Sequence, residues 1–205
     1  VLPIGAQIRS IDRGVARRQA FLQAAREVFL EYGYEAASVN EVVRRAGGSL
    51  ATLYTQFGNK EGLFFAVAQD QFDRFVTEMA PPHCVEGLPL EQALQTIGEH
   101  FVRAMLLRDN VAFFRLVVGE GRKFPELLQR YVTEAGDRVR VELARHVERA
   151  GIADAEASTS YFIELLRGRH QYRALSDSNY QLCDDELEQH VRAAVRFFMN
   201  GLKLT

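Results

Sequence analysis

The adjacent glycines Gly47 and Gly48, set between two short amphipathic stretches, constrain this 205-residue chain more than any other feature. Glycine enters a left-handed helix end without steric cost, so the pair reads as a helix stop followed by a tight turn. Upstream, Ser38 and Glu41 have the Ser-x-x-Glu spacing of a reciprocal helix cap. Val39, Val42, Val43 and Ala46 then fall on one narrow apolar stripe. Downstream, Ser49 is a suitable N-cap for a second short helix, with Leu53 and Phe57 one turn apart on its inner side. Two short helices joined by a glycine turn describe a helix-turn-helix. The second helix turns Ala51, Thr52, Thr55 and Gln56 outward, with Tyr54 at the border. Small groups on that face suit a groove better than a core.

The run Ala46-Gly47-x-Ser49-x-x-Thr52-Leu53-Tyr54-x-x-Phe57-x-x-Lys60-Glu61-x-Leu63 resembles the signature of TetR-type bacterial transcriptional regulators. The resemblance extends back through Phe29-x-x-Tyr32-Gly33-Tyr34 and covers about the first third of the chain. It implies a dimeric DNA-binding repressor with an all-helical ligand-binding half. By the same resemblance, Tyr54 and Lys60 are expected to contact phosphates. Two positions depart from many relatives: Leu50 stands where a basic or polar residue is common, and Gly48 replaces a common apolar one.

Net charge is −2, which argues against a generic polyanion binder, but its distribution is uneven. Residues 1–60 hold 8 basic and 5 acidic groups, and the remainder 17 basic and 22 acidic. A basic N-terminal third on an acidic remainder fits DNA contact by one domain only. No apolar run reaches the ~20 residues of a membrane helix, and the first residues lack the pattern of a secretory signal. A cytoplasmic protein without membrane contact is therefore expected. Cys84 and Cys183 form no Cys-x-x-Cys pair, so zinc and a disulfide scaffold are not expected.

In chain order, residues 1–12 read as a loose arm, and a first helix runs from about Gly14 to Tyr32 on Phe21, Leu22, Ala25, Val28, Phe29 and Tyr32, with Gly33 ending it. Arg13, Arg17 and Arg18 near its start face either phosphate or solvent. Asn59 caps a fourth helix that runs to Pro81-Pro82, and the stretch 80–89 reads as a linker. Further helices follow from Leu90, from Asp109 as a cap, from Pro125 in a first turn, from Asp154 with a weak point at Gly168, and from about Asp184. Val111–Val118 is apolar on nearly all sides, as in a helix buried within a bundle. No alternating strand pattern appears, so the chain should be all-α. The expected organisation is a three-helix DNA-binding domain at 1–62, a connecting helix and linker at 63–89, and a ligand-binding and dimerisation bundle at 90–205.

The DNA-facing candidates are Ser38, Gly48, Ser49, Leu50, Ala51, Thr52, Tyr54, Thr55 and Lys60. Leu50, Ala51 and the Thr52 methyl favour thymine methyls over bidentate guanine contacts, although Leu50 also fits a packed helix start. A helix-turn-helix reads two half-sites of a pseudo-palindromic operator as a dimer. The resemblance places the dimer contact on the last two helices, where Phe162, Leu166, Val191, Val195 and Phe198 are the expected anchors. Phe101, Met105, Phe113, Phe114, Tyr131 and Phe162 are aromatic or large apolar residues that fit either a core or a ligand pocket. Arg103, Glu120, His146 and Arg167 are candidate polar handles.

The expected function is a sequence-specific transcriptional regulator, a repressor released by a small apolar or amphipathic effector. An effector-independent repressor is the alternative. A helical-bundle enzyme is disfavoured, because the histidines are scattered without a Glu-x-x-His motif and His83-Cys84 lies in the linker. Glu186 and His190, four apart, are a metal-pair spacing or a solvated face. No catalytic residue, metal ligand or cofactor is assigned.

Overall fold

The computed structural model describes residues 4–79, 85–152 and 154–202. Among the described residues there are nine α-helices and no strand, so the chain is all-α. In order they are α1 (Ile4–Ala36), α2 (Val39–Ala46), α3 (Leu50–Phe57), α4 (Lys60–Met79), α5 (Leu90–Leu106), α6 (Arg108–Gly119), α7 (Pro125–Arg149), α8 (Ala155–Ser176) and α9 (Asp184–Leu202). The helix that the periodicity starts near Gly14 extends back to Ile4, so residues 4–12 are helical rather than a loose arm. Residues 1–3 of that arm, and Pro81, Pro82, His83 and Cys84 of the expected linker, lie outside the described residues.

Two compact units result. The first joins the chain up to Gln71 with Leu116–Leu127, and the second comprises Phe72–Arg115 and the chain from Leu128 onward. The division therefore falls inside α4 rather than at a linker, and the α6–α7 corner belongs with the N-terminal helices. Phe124 is the physical reason for the second point. Its ring lies 4.8 Å from Tyr34, 5.4 Å from Phe64 and 5.6 Å from Phe65, and it is buried.

The core of the first unit is built on Phe21, Val28 and Phe29 of α1, Val42 of α2, Leu53 and Phe57 of α3, and Leu63 and Phe64 of α4. Gly33, at φ 72° and ψ 172°, interrupts α1 before its last turn. That break changes the helical phase. Tyr32, expected on the inner stripe, is exposed, while Tyr34 turns inward onto Phe29 and Phe64. Gly62 lets the α3–α4 turn close, since a Cβ there would stand 2.1 Å from the carbonyl oxygen of Phe57. Asn59 Oδ1 accepts from the Gly62 amide at 2.8 Å, the expected cap of α4.

In the second unit α5 packs on α8 and α9. Their approach is close at Gly98, where a Cβ would meet Val191 at 2.7 Å and Leu166 at 3.1 Å. Leu94, Ile97, Phe101, Phe162, Leu166, Val191 and Val195 fill that contact. Gly168, at φ 42° and ψ −148°, breaks α8 where the sequence reads as weak. Asp109 lies within the first turn of α6 rather than at its cap. The 111–118 segment is less enclosed than its composition suggests: Phe113 and Val117 are buried, but Val118 is exposed. Among the described residues no helix is long and apolar enough to cross a membrane.

Candidate nucleic-acid interface

The two short helices meet as the glycine pair requires. Gly47 takes the left-handed conformation, φ 67° and ψ 48°, and its amide donates to the Val43 carbonyl at 3.0 Å. Gly48 is needed for a different reason: a Cβ there would stand 2.5 Å from Cζ of the buried Phe21 ring. Its role is to seat the turn on α1. Ser49 caps α3, its Oγ accepting from the Thr52 amide at 3.1 Å and sharing a 2.8 Å hydrogen bond with the Thr52 hydroxyl.

Leu53 and Phe57 anchor α3 from beneath, both buried, with Phe57 edge-on to Phe21 at 6.3 Å. The opposite side is open. Ala51, Thr52 and Thr55 are exposed, Leu50 is 37% exposed and Tyr54 43% exposed. Eight residues make a helix about 12 Å long, close to the width of a B-DNA major groove. Thr55 Oγ1 donates back to the Ala51 carbonyl at 2.8 Å, which keeps that face low. Gln56, read as outward, is half-buried, and its Oε1 is enclosed with no hydrogen-bond partner among the described residues.

The expected Ser38–Glu41 cap does not form. Ser38 sits at the N-cap with extended backbone and makes no side-chain cap bond. Glu41 is drawn instead to its arginines, accepting from Arg44 at 2.8 and 2.6 Å and from Arg45 at 2.7 Å. The Arg44 and then the Arg45 guanidinium hold the Glu41 carboxyl down at about 2. A doubly donated, charge-assisted carboxylate outcompetes one backbone amide. Arg45 also bonds Glu31 at 2.7 Å, tying α2 to α1.

Basic residues with roles that spacing does not reveal surround this unit. Arg17 Nη1 donates to the carbonyls of Ala46, at 3.3 Å, and Gly47, capping the end of α2 from α1. Arg18 stacks over Phe57 at 4.7 Å. Lys60, exposed only in part, donates to the Glu35 carbonyl at 2.9 Å and lies 4.8 Å from the Tyr34 ring. Burial lowers its pKa, against the pull of Glu35. Lys123 pairs with the Glu35 carboxylate and covers the same Tyr34 ring at 4.5 Å. Lys60 thus caps the end of α1 from the start of α4.

In the second unit the residues expected to anchor a dimer are turned inward. Phe162, Leu166, Val191, Val195 and Phe198 are buried within the protomer, with the Phe162 ring tilted against Phe198 at 5.0 Å. Their apolar stripe packs α8 and α9 onto α5. The same two helices expose Tyr161 (73%), Tyr172 (74%) and Phe197 (69%). The expected pocket residues Phe101, Met105, Phe113, Tyr131 and Phe162 are likewise buried core, with Phe114 half-buried and stacked on Tyr131 at 5.8 Å. Burial raises the Tyr131 pKa, so its hydroxyl is neutral. Of the polar handles, Arg167 pairs with Glu164 at 2.8 Å, and His146 is buried beside Glu142 at 3.5 Å.

A cleft of about 660 Å³ opens beside that core, between the end of α5, the start of α6 and the loop from α8 to α9. Arg103, Arg108 and Arg115 line it, together with Tyr180 and Asp177. Of these the sequence singles out only Arg103, because the cleft is assembled from three separate segments. Among the described residues no group of three or more His, Cys, Asp or Glu side chains is placed to hold a metal ion.

Comparison with known proteins agrees with this architecture. Residues 21–67 match the model for bacterial regulatory proteins of the tetR family, and residues 92–201 match the C-terminal domain of AefR-like transcriptional repressors. The chain is 40% identical over 77 residues to the HTH-type transcriptional repressor ComR of Escherichia coli K12, covering 38% of this chain and 37% of that protein. It is 33% identical over 129 residues to the HTH-type transcriptional activator FasR of Mycolicibacterium smegmatis, covering 62% and 53%. These matches thus span less than two thirds of either relative. A TetR-family regulator of Mesorhizobium loti MAFF303099 superposes with a TM-score of 0.78 at 23% identity, over 92% of this chain and 98% of that one. The flavonoid-responsive regulator FrrA does so at 0.74 and 26% identity, over 90% and 96%. With one model matched by the helix-turn-helix unit and a second by more than half of the chain, the protein belongs to the TetR family of bacterial transcriptional regulators.

Proposed function

We propose that this protein is a sequence-specific DNA-binding repressor that works as a homodimer and is released by a small-molecule effector. The observation that carries the DNA reading is the open face of α3. Leu50, Ala51, Thr52, Tyr54 and Thr55 stand clear of the protein while Leu53 and Phe57 lock the helix from beneath. Exposure of Leu50 favours its methyl-reading role over that of a packed helix start. With Ala51 and the Thr52 methyl it would read thymine methyl groups in an A·T-containing half-site. Tyr54, Lys60, Ser38 and the Ser49 turn at Gly48 would hold the flanking phosphates, which fixes the pose without carrying sequence.

Dimerisation is what makes a pseudo-palindromic operator readable, because two recognition helices must lie about 34–36 Å apart. Tyr161, Tyr172 and Phe197, exposed on α8 and α9, are the apolar groups that a second copy would cover. The effector reading rests on the family and on the flavonoid-responsive relative. An effector would act by favouring a protomer separation that no longer spans both half-sites. Acting on chromosomal DNA, the protein would work in the cytoplasm.

Footprinting of the full chain on DNA flanking its own gene tests this. Two protected half-sites one helical turn apart are expected, and their loss when Thr52 and Tyr54 are replaced by alanine. Protection that is uniform along the DNA, or indifferent to those substitutions, would remove the reading.

A further inference from the structure

We propose that the cleft at the α5–α6 corner binds an anionic amphiphile, a short apolar tail carrying a carboxylate or phosphate headgroup. This deepens the effector reading above by naming the ligand's chemistry. Three guanidinium groups line the cleft against one carboxylate, Asp177. That carboxylate is already engaged, because its Oδ1 accepts from the Asn179 amide at 2.9 Å within its own loop. Arg115 is spent in part on backbone: Nε donates to the Leu175 carbonyl at 3.0 Å and Nη2 to that of Ala174 at 2.8 Å. It meets no carboxylate among the described residues. Arg108 is exposed and makes no ion pair among the described residues. Arg103 pairs with Asp184 at 2.5 Å, but both side chains are more than half exposed, and such pairs contribute little to stability. An incoming anion can therefore take over Arg103 at small cost.

The rest of the cleft suits a tail. Leu107 and Val111 stand along the α5–α6 wall. The opposite wall is preformed. Tyr180 shares a 2.5 Å hydrogen bond with Nδ1 of buried His170 and is covered by Arg173 at 4.7 Å, which fixes the loop between α8 and α9. Some 660 Å³ lies within the range of small-molecule sites. Guanidinium forks bind carboxylate and phosphate oxygens in pairs, whereas a neutral headgroup gains none of that charge assistance.

Isothermal titration of the full chain with decanoate, decyl phosphate and decanol tests the proposal, alongside operator affinity measured with and without each. Both anions are expected to bind about tenfold to a hundredfold more tightly than decanol, and the tighter of the two names the headgroup. The R103Q/R108Q double variant, whose positions are exposed and so leave folding intact by circular dichroism, should lose that preference and keep the decanol affinity. The R192Q/R196Q double variant, an equal change of charge at two exposed positions on α9, should leave it unchanged. Equal affinity for decanoate and decanol, or a preference that survives R103Q/R108Q, overturns the anion site while leaving operator binding standing. Selective binding that does not alter operator affinity upholds the site and removes the effector reading.

Discussion

Substitution of Gly48 by alanine tests the helix-turn-helix geometry at its tightest point. The added Cβ would stand 2.5 Å from Cζ and 2.9 Å from Cε1 of Phe21. Carbon contacts are ordinarily about 3.5–4.0 Å, so the ring or the turn must move by about 1 Å. Phe21 has no exposed surface and is held edge-on by Phe57, which leaves it no free direction. Gly48 does not have a positive φ, so backbone strain adds nothing and the cost is steric. Overpacking of this kind costs about 1–3 kcal/mol, and the reduced chain entropy of alanine returns about 0.4–1 kcal/mol. A net loss of about 1–2 kcal/mol should speed amide exchange in peptides covering α1–α3 by roughly 5–30-fold, with the second unit unaffected. Exchange measured by mass spectrometry reads this locally. The double variant with Phe21→Leu should recover about 1 kcal/mol relative to the sum of the singles. Strict additivity of the two, or slower exchange in G48A, would refute the steric argument.

Three further expectations follow from named contacts. Lys60→Gln should lower the slope of log affinity against log salt by roughly 1.8 per dimer, about 0.9 for each phosphate released; an unchanged slope would leave Lys60 with only its cap on Glu35. His170 is held down at about 4, first by burial and then by His190, Arg169 and Arg173, against the pull of Glu186. Below pH ~6.5 the unfolded chain takes up a proton that the folded one refuses, so up to about 3 kcal/mol of stability is lost between pH ~6.5 and ~4. The advantage of the wild type over His170→Gln in urea midpoint should therefore shrink across that window, and a constant difference would contradict it. Phe197→Glu, at an exposed site, should leave protomer stability within about 0.5 kcal/mol while sedimentation shifts from dimer to monomer; persistence of the dimer would place the interface elsewhere.

Legibility from sequence followed the range of the interactions. The left-handed Gly47, the Ser49 cap and the inward Leu53 and Phe57 depend on neighbours within one turn, and the sequence reads them correctly. Ser38 and Glu41 illustrate a local rule overruled, since Arg44 and Arg45 offer Glu41 stronger partners than a backbone amide does. Tyr32 and Tyr34 exchange roles because Gly33 breaks the helical phase between them. Phe124 reaches Tyr34 across 90 residues, and Arg17 caps a helix end 30 residues away, distances at which periodicity carries no information. Apolar stripes on α8 and α9 announce burial without naming the partner. Here the partner of the stripe is α5, and the outward apolar groups are the isolated Tyr161, Tyr172 and Phe197. The arginine cleft is assembled by three segments and has no motif.

The most direct test of the central claim is selection of bound duplexes from a random pool by the full chain, in parallel with an A51N variant. The wild type should enrich an inverted repeat whose half-sites carry thymines opposite α3. Ala51→Asn should shift preference at one base pair per half-site toward adenine, whose N6 and N7 asparagine bonds in pairs, and leave the flanking positions alone. No enriched repeat, or identical sequences selected by wild type and A51N, would contradict the reading that the exposed face of α3 recognises DNA.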